Sequence, residues 1–172
     1  MFNIFRKNKK GVTLIELLLY LSLFIVIFGA LFTSLQVFYS NKIKNRTIME
    51  VEQQGQIVSL IISQEIRNVQ SIISPGLGSS SSILSLEHLN PANSPLSFSL
   101  FDNKIIINEG GDINDLTASR LKAENLSFVN NSVVDGTQTI FFSFDLSYDS
   151  ISSRNEYIYE KNFSGTVNLL IK

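Results

Sequence analysis

The sequence predicts an α+β fold: one long N-terminal helix, membrane-spanning in its first half, packed through its second half on a C-terminal antiparallel β-sheet head. Three observations carry this expectation. The run Leu17–Tyr39 holds 23 residues without a charge. Helical spacing of apolar residues then continues, and no proline appears before Pro75. Beyond that point the chain breaks into short alternating runs separated by turn residues.

The first element is set by length and polarity. As a helix, 23 residues extend about 34 Å, enough for a hydrocarbon core of about 30 Å. Hydrophobic residues make up 44% of the chain and charged ones only 17%, and the excess apolar content sits in the first 39 residues. Arg6, Lys7, Lys9 and Lys10 precede the run, with no acid among the first 11 residues. The remaining ten basic and fifteen acidic groups give −5. A surface of that sign repels phosphate on average, so the reading includes no nucleic-acid partner. With no cysteine, neither a disulfide framework nor a thiolate metal site is available.

After Tyr39 one ridge runs Ile48, Val51, Gln54, Val58, Ile61, Glu65 and Asn68, and a second runs Ile57, Leu60, Ile61, Ile66, Val69 and Ile73. This predicts an amphipathic helix over 41–74, ended by Pro75 with Gly76 and Gly78, and loosened in its middle by Gly55. Residues 75–172 form the head. Pro75–Ser82 reads as a loop, and Ile83–Leu89, Leu96–Phe101 and Lys104–Asn108 read as strands. Asp102-Asn103 suits a tight hairpin turn. Gly110–Asn114 is expected as a turn, and Leu116–Asn131 as a short helix leading into a strand over Leu126–Val129. Thr137–Tyr148 is a long strand presenting Ile140, Phe142, Phe144, Leu146 and Tyr148 on one face. Tyr157–Lys172 supplies the last strand, with Phe163, Val167 and Leu169 inward.

Signs of catalysis are sparse. His88 is the only histidine, so no His/Cys metal cluster forms and nothing marks a Ser–His arrangement. Asp102, Asp112, Asp115 and Asp145 offer oxygen ligands of the kind calcium takes, but without dense ligand spacing, and read as solvated acidic turns. Gly110-Gly111 lacks the strand–loop–helix setting of a phosphate loop. Phe142, Phe144 and Tyr148 have core spacing. No cofactor and no enzymatic role is expected.

The N-terminus decides among three readings. A cleaved secretory signal has an apolar region of about 7–15 residues followed by a small-x-small site; here the run is longer, and Phe28-Gly29-Ala30 places a bulky residue where a small one is needed. A plain signal anchor fits the hydropathy but leaves Glu16 unexplained, since a carboxylate inside an apolar segment costs a few kcal/mol on insertion. Taken together, Lys9-Lys10-Gly11-Val12-Thr13-Leu14-Ile15-Glu16-Leu17-Leu18 resembles the class III signal of type IV prepilins and type II secretion pseudopilins: a basic leader, a glycine, then a hydrophobic helix with Glu at its fifth position.

The resemblance implies a pilin-like fold and a filament subunit. Residues 1–11 would be the leader peptide and 12–40 the transmembrane and filament-core helix. A prepilin peptidase would cut between Gly11 and Val12 and methylate the new amine on Val12. Glu16 would meet the N-terminus of a neighbouring subunit. Val12, where major pilins usually carry Phe or Met, leans toward a minor subunit. The partners implied are other pilin subunits, the peptidase, an assembly platform and its ATPase, and the membrane. The chain would sit in the bacterial cytoplasmic membrane with its N-terminus inside, and later in a periplasmic or cell-surface filament. Basic residues number four before the run and three after it (Lys42, Lys44, Arg46), so orientation follows from the resemblance rather than from charge. The rival expectation is a single-pass membrane-anchored envelope-binding module that never polymerises.

Overall fold

The computed structural model describes residues 11–88, 90–134, 136–150 and 154–169. One long N-terminal helix packs against antiparallel sheets, the α+β, pilin-like architecture expected from the sequence. The chain divides into two compact units, 1–42 and 43–172. Helix α1 (Leu14–Asn68) contributes to both.

Within the first unit the helix is apolar around its whole circumference. Leu17, Leu21, Phe24, Phe28, Leu31, Phe32, Leu35 and Phe38 are all exposed. This part of α1 is long and apolar enough to cross a membrane.

In the second unit one face of α1 is buried through Thr47, Val51, Gly55, Val58, Ile62 and Ile66. The spacing of three or four is that of a single helical stripe. It combines members of both ridges read from the sequence and leaves Ile57 and Leu60 exposed, at 41% and 57%. Gly55 does not loosen the helix. It makes room, because a methyl group there would overlap the ring of Phe163.

Strand β1 (Val69–Ser74) follows α1 directly and pairs with β3 (Leu84–His88), so the helix ends at Asn68 and the last six residues of the helix expected over 41–74 are a strand. Val69, Ile72 and Ile73 are β-branched and gain a hydrogen-bonded ladder that a helix end lacks. The loop after Pro75 contains a two-residue strand, β2 (Ser80–Ser81), paired with Val129 and Phe128. Leu89, the expected end of the next strand, lies outside the described residues.

β4 (Leu96–Phe101) and β5 (Lys104–Glu109) form the expected hairpin, with Asp102 and Asn103 at φ 48° and 57°. Gly110 and Gly111, at φ 60° and 110°, turn the chain into β6 (Asp112–Asp115), where a turn through Asn114 was expected. All four β6 residues are exposed, so no apolar alternation marks this edge strand. The helix expected within Leu116–Asn131 is absent. Leu121–Asn130 is strand β7, with a register shift between Glu124 and Ser127 and Asn125 at φ 53°. Buried positions change parity there, from Leu121 and Ala123 to Leu126 and Phe128.

β8 (Thr139–Tyr148) buries Ile140, Phe142, Phe144 and Leu146, while Tyr148 is only partly covered. β9 (Glu160–Asn168) buries Phe163 and Val167, and Leu169 follows into the core; residues 170–172 lie outside the described part.

Two antiparallel sheets result, not one: β1-β3-β4-β5-β6 and β2-β7-β8-β9. A single core joins the buried stripe of α1 to both sheets. Phe98 of β4 meets Phe128 of β7 at 6.4 Å between ring centroids, and Phe144 stacks on Phe163 at 5.5 Å.

This packing predicts that residues 43–172 form a soluble monomer with mixed helix and strand circular dichroism. In it, Gly55→Val should cost about 1–3 kcal/mol in chemical denaturation, from overpacking against Phe163. Phe163→Leu added to Gly55→Val should recover part of that loss. An unchanged midpoint for Gly55→Val would contradict the contact.

Candidate functional site

The candidate residues lie at the start of α1. Gly11, Val12 and Thr13 precede the helix and are exposed. A methyl group at Gly11 would meet nothing within 4 Å. Packing among the described residues therefore does not account for a glycine at this position.

Thr13 caps the helix. Its carbonyl accepts from the backbone N–H groups of Glu16 and Leu17, each at 3.1 Å. Its hydroxyl oxygen receives a longer bond, 3.4 Å, from the Glu16 N–H. Thr13 and Glu16 thus stand in the T-x-x-E spacing of a capping box, whose first turn leaves backbone donors unpaired and favours an acidic residue. The Glu16 carboxylate turns along the helix, where Oε1 accepts from the Tyr20 hydroxyl at 3.2 Å. The structure places Gly11, Val12 and Glu16 within one short exposed segment. Thr13 as cap and Tyr20 as donor were not singled out from the sequence. The T-x-x-E spacing and the i,i+4 separation of Glu16 and Tyr20 are the signals that carry them.

The head holds its polar groups in local pairs. Asp115 bonds Lys104 at 2.7 Å, and Asp145 accepts from Asn125 and Asn162, both at 2.7 Å. Asp102 sits in the β4–β5 turn and Asp112 at the start of β6. Among the described residues no group of three or more His, Asp or Glu is gathered as a metal site. His88 Nδ1 accepts from the Asn90 backbone N–H at 2.9 Å and so closes the end of β3. Phe142 and Phe144 are buried and stacked, 6.3 Å between centroids.

Glu52 of α1 ties the helix to the last strand. Lys161 Nζ donates to both of its carboxylate oxygens at 2.7 Å, and the Tyr159 hydroxyl donates at 2.8 Å. These bonds hold the Glu52 carboxyl below the usual carboxylate range, Lys161 first and Tyr159 second. Glu65, further along α1, is raised by burial and then by Glu109, against an opposing pull from His88.

The residues around Gly11 match a family model. Residues 6–32 fit the prokaryotic N-terminal methylation motif. This is the class III signal characteristic of type IV pilins and pseudopilins; it supports a type IV pilin-like prepilin and points to a structural protein. A signal of this type implies, in general, processing by a prepilin peptidase and assembly with other pilins, and the apolar helix that follows it fits membrane anchoring. No curated protein and no solved structure matches the chain.

The Glu52 cluster generates a pH prediction. A carboxyl whose folded pKa lies below its ordinary value of 4.5 contributes stability that is present above 4.5 and lost as pH falls through the lowered value. As pH falls below 4.5 the unit 43–172 should therefore lose stability more steeply than its Glu52→Gln variant, in denaturation curves across the acid range. Identical slopes would remove Glu52 from the account.

Proposed function

We propose that this chain is a minor or initiating subunit of a type IV pilus, type II secretion pseudopilus or DNA-uptake pilus. The observation that carries the reading is the methylation motif at residues 6–32, running into a helix whose apolar side chains stay exposed among the described residues of their own unit.

In this reading residues 1–11 are the leader, cut between Gly11 and Val12, and the α-amine of Val12 is methylated. The precursor sits in the cytoplasmic membrane with its N-terminus inside. An assembly platform driven by a cytoplasmic ATPase then draws residues 12–40 out of the lipid into the core of a filament. The absence of any described residue within 4 Å of a methyl group at Gly11 supports access by a peptidase. Val12 in place of Phe or Met supports a minor rather than a major subunit.

Glu16 sets the register. In apolar surroundings a lone carboxylate is costly, and so is a lone ammonium. Packing that brings Glu16 of one subunit to the Val12 amine of the next removes both costs, and misregistered packing leaves both. The helix start supports this arrangement, because Thr13 caps the backbone and leaves the carboxylate clear of that task.

Two substitutions test the reading in cells that assemble the filament. Gly11→Val should accumulate as uncleaved precursor in the membrane. Glu16→Leu should insert and be cleaved normally, since its insertion cost of a few kcal/mol disappears. Its recovery in sheared filaments should nevertheless fall by tenfold or more, because one-sided loss of a buried pair costs about 3–5 kcal/mol. Normal incorporation of Glu16→Leu would leave the carboxylate a tolerated interfacial charge.

A further inference from the structure

The apolar run contains several polar side chains, and the structure separates one from the others. Ser22 donates to the Leu19 carbonyl at 2.8 Å, and Thr33 to the carbonyls of Gly29 and Ala30 at 3.0 and 2.9 Å. Both hydroxyls are thus absorbed by the backbone of their own helix. Tyr20 instead directs its hydroxyl at a charged group, donating to Glu16 Oε1 at 3.2 Å. The geometry follows from the helix. Residues four apart lie on one face, and long side chains lean toward the N-terminus, so the phenol reaches back over Glu16. The bond is long for an O–H···O pair and lies on an exposed surface, with Tyr20 59% exposed. Among the described residues, Oε2 of Glu16 accepts from no side chain.

From this we infer that Tyr20 is a positioning residue for Glu16: its hydroxyl holds one carboxylate oxygen and leaves the other facing outward for the ammonium of a neighbouring subunit. The inference rests on the pairing role proposed above for Glu16. Two consequences follow from the chemistry. While the precursor waits in lipid, the hydroxyl gives the carboxylate a donor in a medium that supplies few others. On assembly, Oε1 is already held, so fewer side-chain rotamers are lost when the pair forms. A different role for the same residue is that of an interfacial aromatic, anchoring the helix at headgroup depth. That role depends on the ring and not on Glu16.

The roles separate in a double-mutant cycle on the full-length chain, expressed in its host alongside a tagged wild-type copy as internal competitor. Tyr20→Phe keeps the ring and removes only the donor. It should leave membrane insertion and cleavage after Gly11 unchanged and lower filament incorporation about tenfold, the lower end for a hydrogen bond to a charged group. Introduced into Glu16→Leu, the same substitution should have no further effect. An equal loss in both backgrounds would overturn the inference and assign Tyr20 to anchoring. Wild-type incorporation of Tyr20→Phe, with Glu16→Leu defective, would overturn it while leaving the Glu16 pairing intact. Normal incorporation of Glu16→Leu would overturn the pairing and the role of Tyr20 together.

Discussion

Apolar surface must be removed from water, and this chain meets that requirement differently in its two units. Between Ile43 and Asn68, helix α1 carries a single buried stripe, and the two sheets supply its cover. Between Leu14 and Phe38 the same helix exposes leucine, isoleucine and phenylalanine on every side, and the described residues of its own unit do not cover them. In the function proposed above, lipid is one cover and the helices of other pilin subunits are another. A chain that used both in turn, as proposed, would make the methylation motif and the exposed helix two aspects of one requirement.

Glu16 is placed where that requirement is hardest to satisfy. The charge lies in the first turn of the apolar helix, with a backbone cap on one side and a tyrosine hydroxyl on the other. Only the second touches the carboxylate, at 3.2 Å, and it supplies no counter-charge, whereas the 3.4 Å bond runs from the Glu16 backbone N–H to the Thr13 hydroxyl. Among the described residues the carboxylate has a hydroxyl donor but no cation, which suits the pairing proposed above. The head differs in this respect. Glu52 meets its cation within the chain, and Lys161 and Tyr159 fasten the last strand to the helix.

Much of this was legible from the residues. Alternation in Thr137–Tyr148 gave the inward face of β8, the Asp-Asn pair gave the β4–β5 turn, and helical spacing gave the stem. The failures have physical causes. β7 changes parity at Asn125, so a strand with two inward phases looked like a helix followed by a shorter strand. β6 is solvated on both faces and carries no apolar signal. The true end of α1 depends on a ladder with β3, a partner distant in sequence. Gly55 was read through its weak helix propensity, whereas its role is set by the Phe163 ring, more than a hundred residues away. At the site, Gly11, Val12 and Glu16 came from resemblance to a known signal. Thr13 and Tyr20 act through spacings that have meaning only once Glu16 is given a task.

The central claim is that this chain functions as a cleaved subunit, and its mature N-terminus tests that most directly. Intact mass spectrometry of protein from host cells with active prepilin peptidase should give residues 12–172, with an added methyl group on the Val12 amine. Recovery of the chain with residues 1–11 still attached, from filaments or from the membrane of such cells, would contradict it.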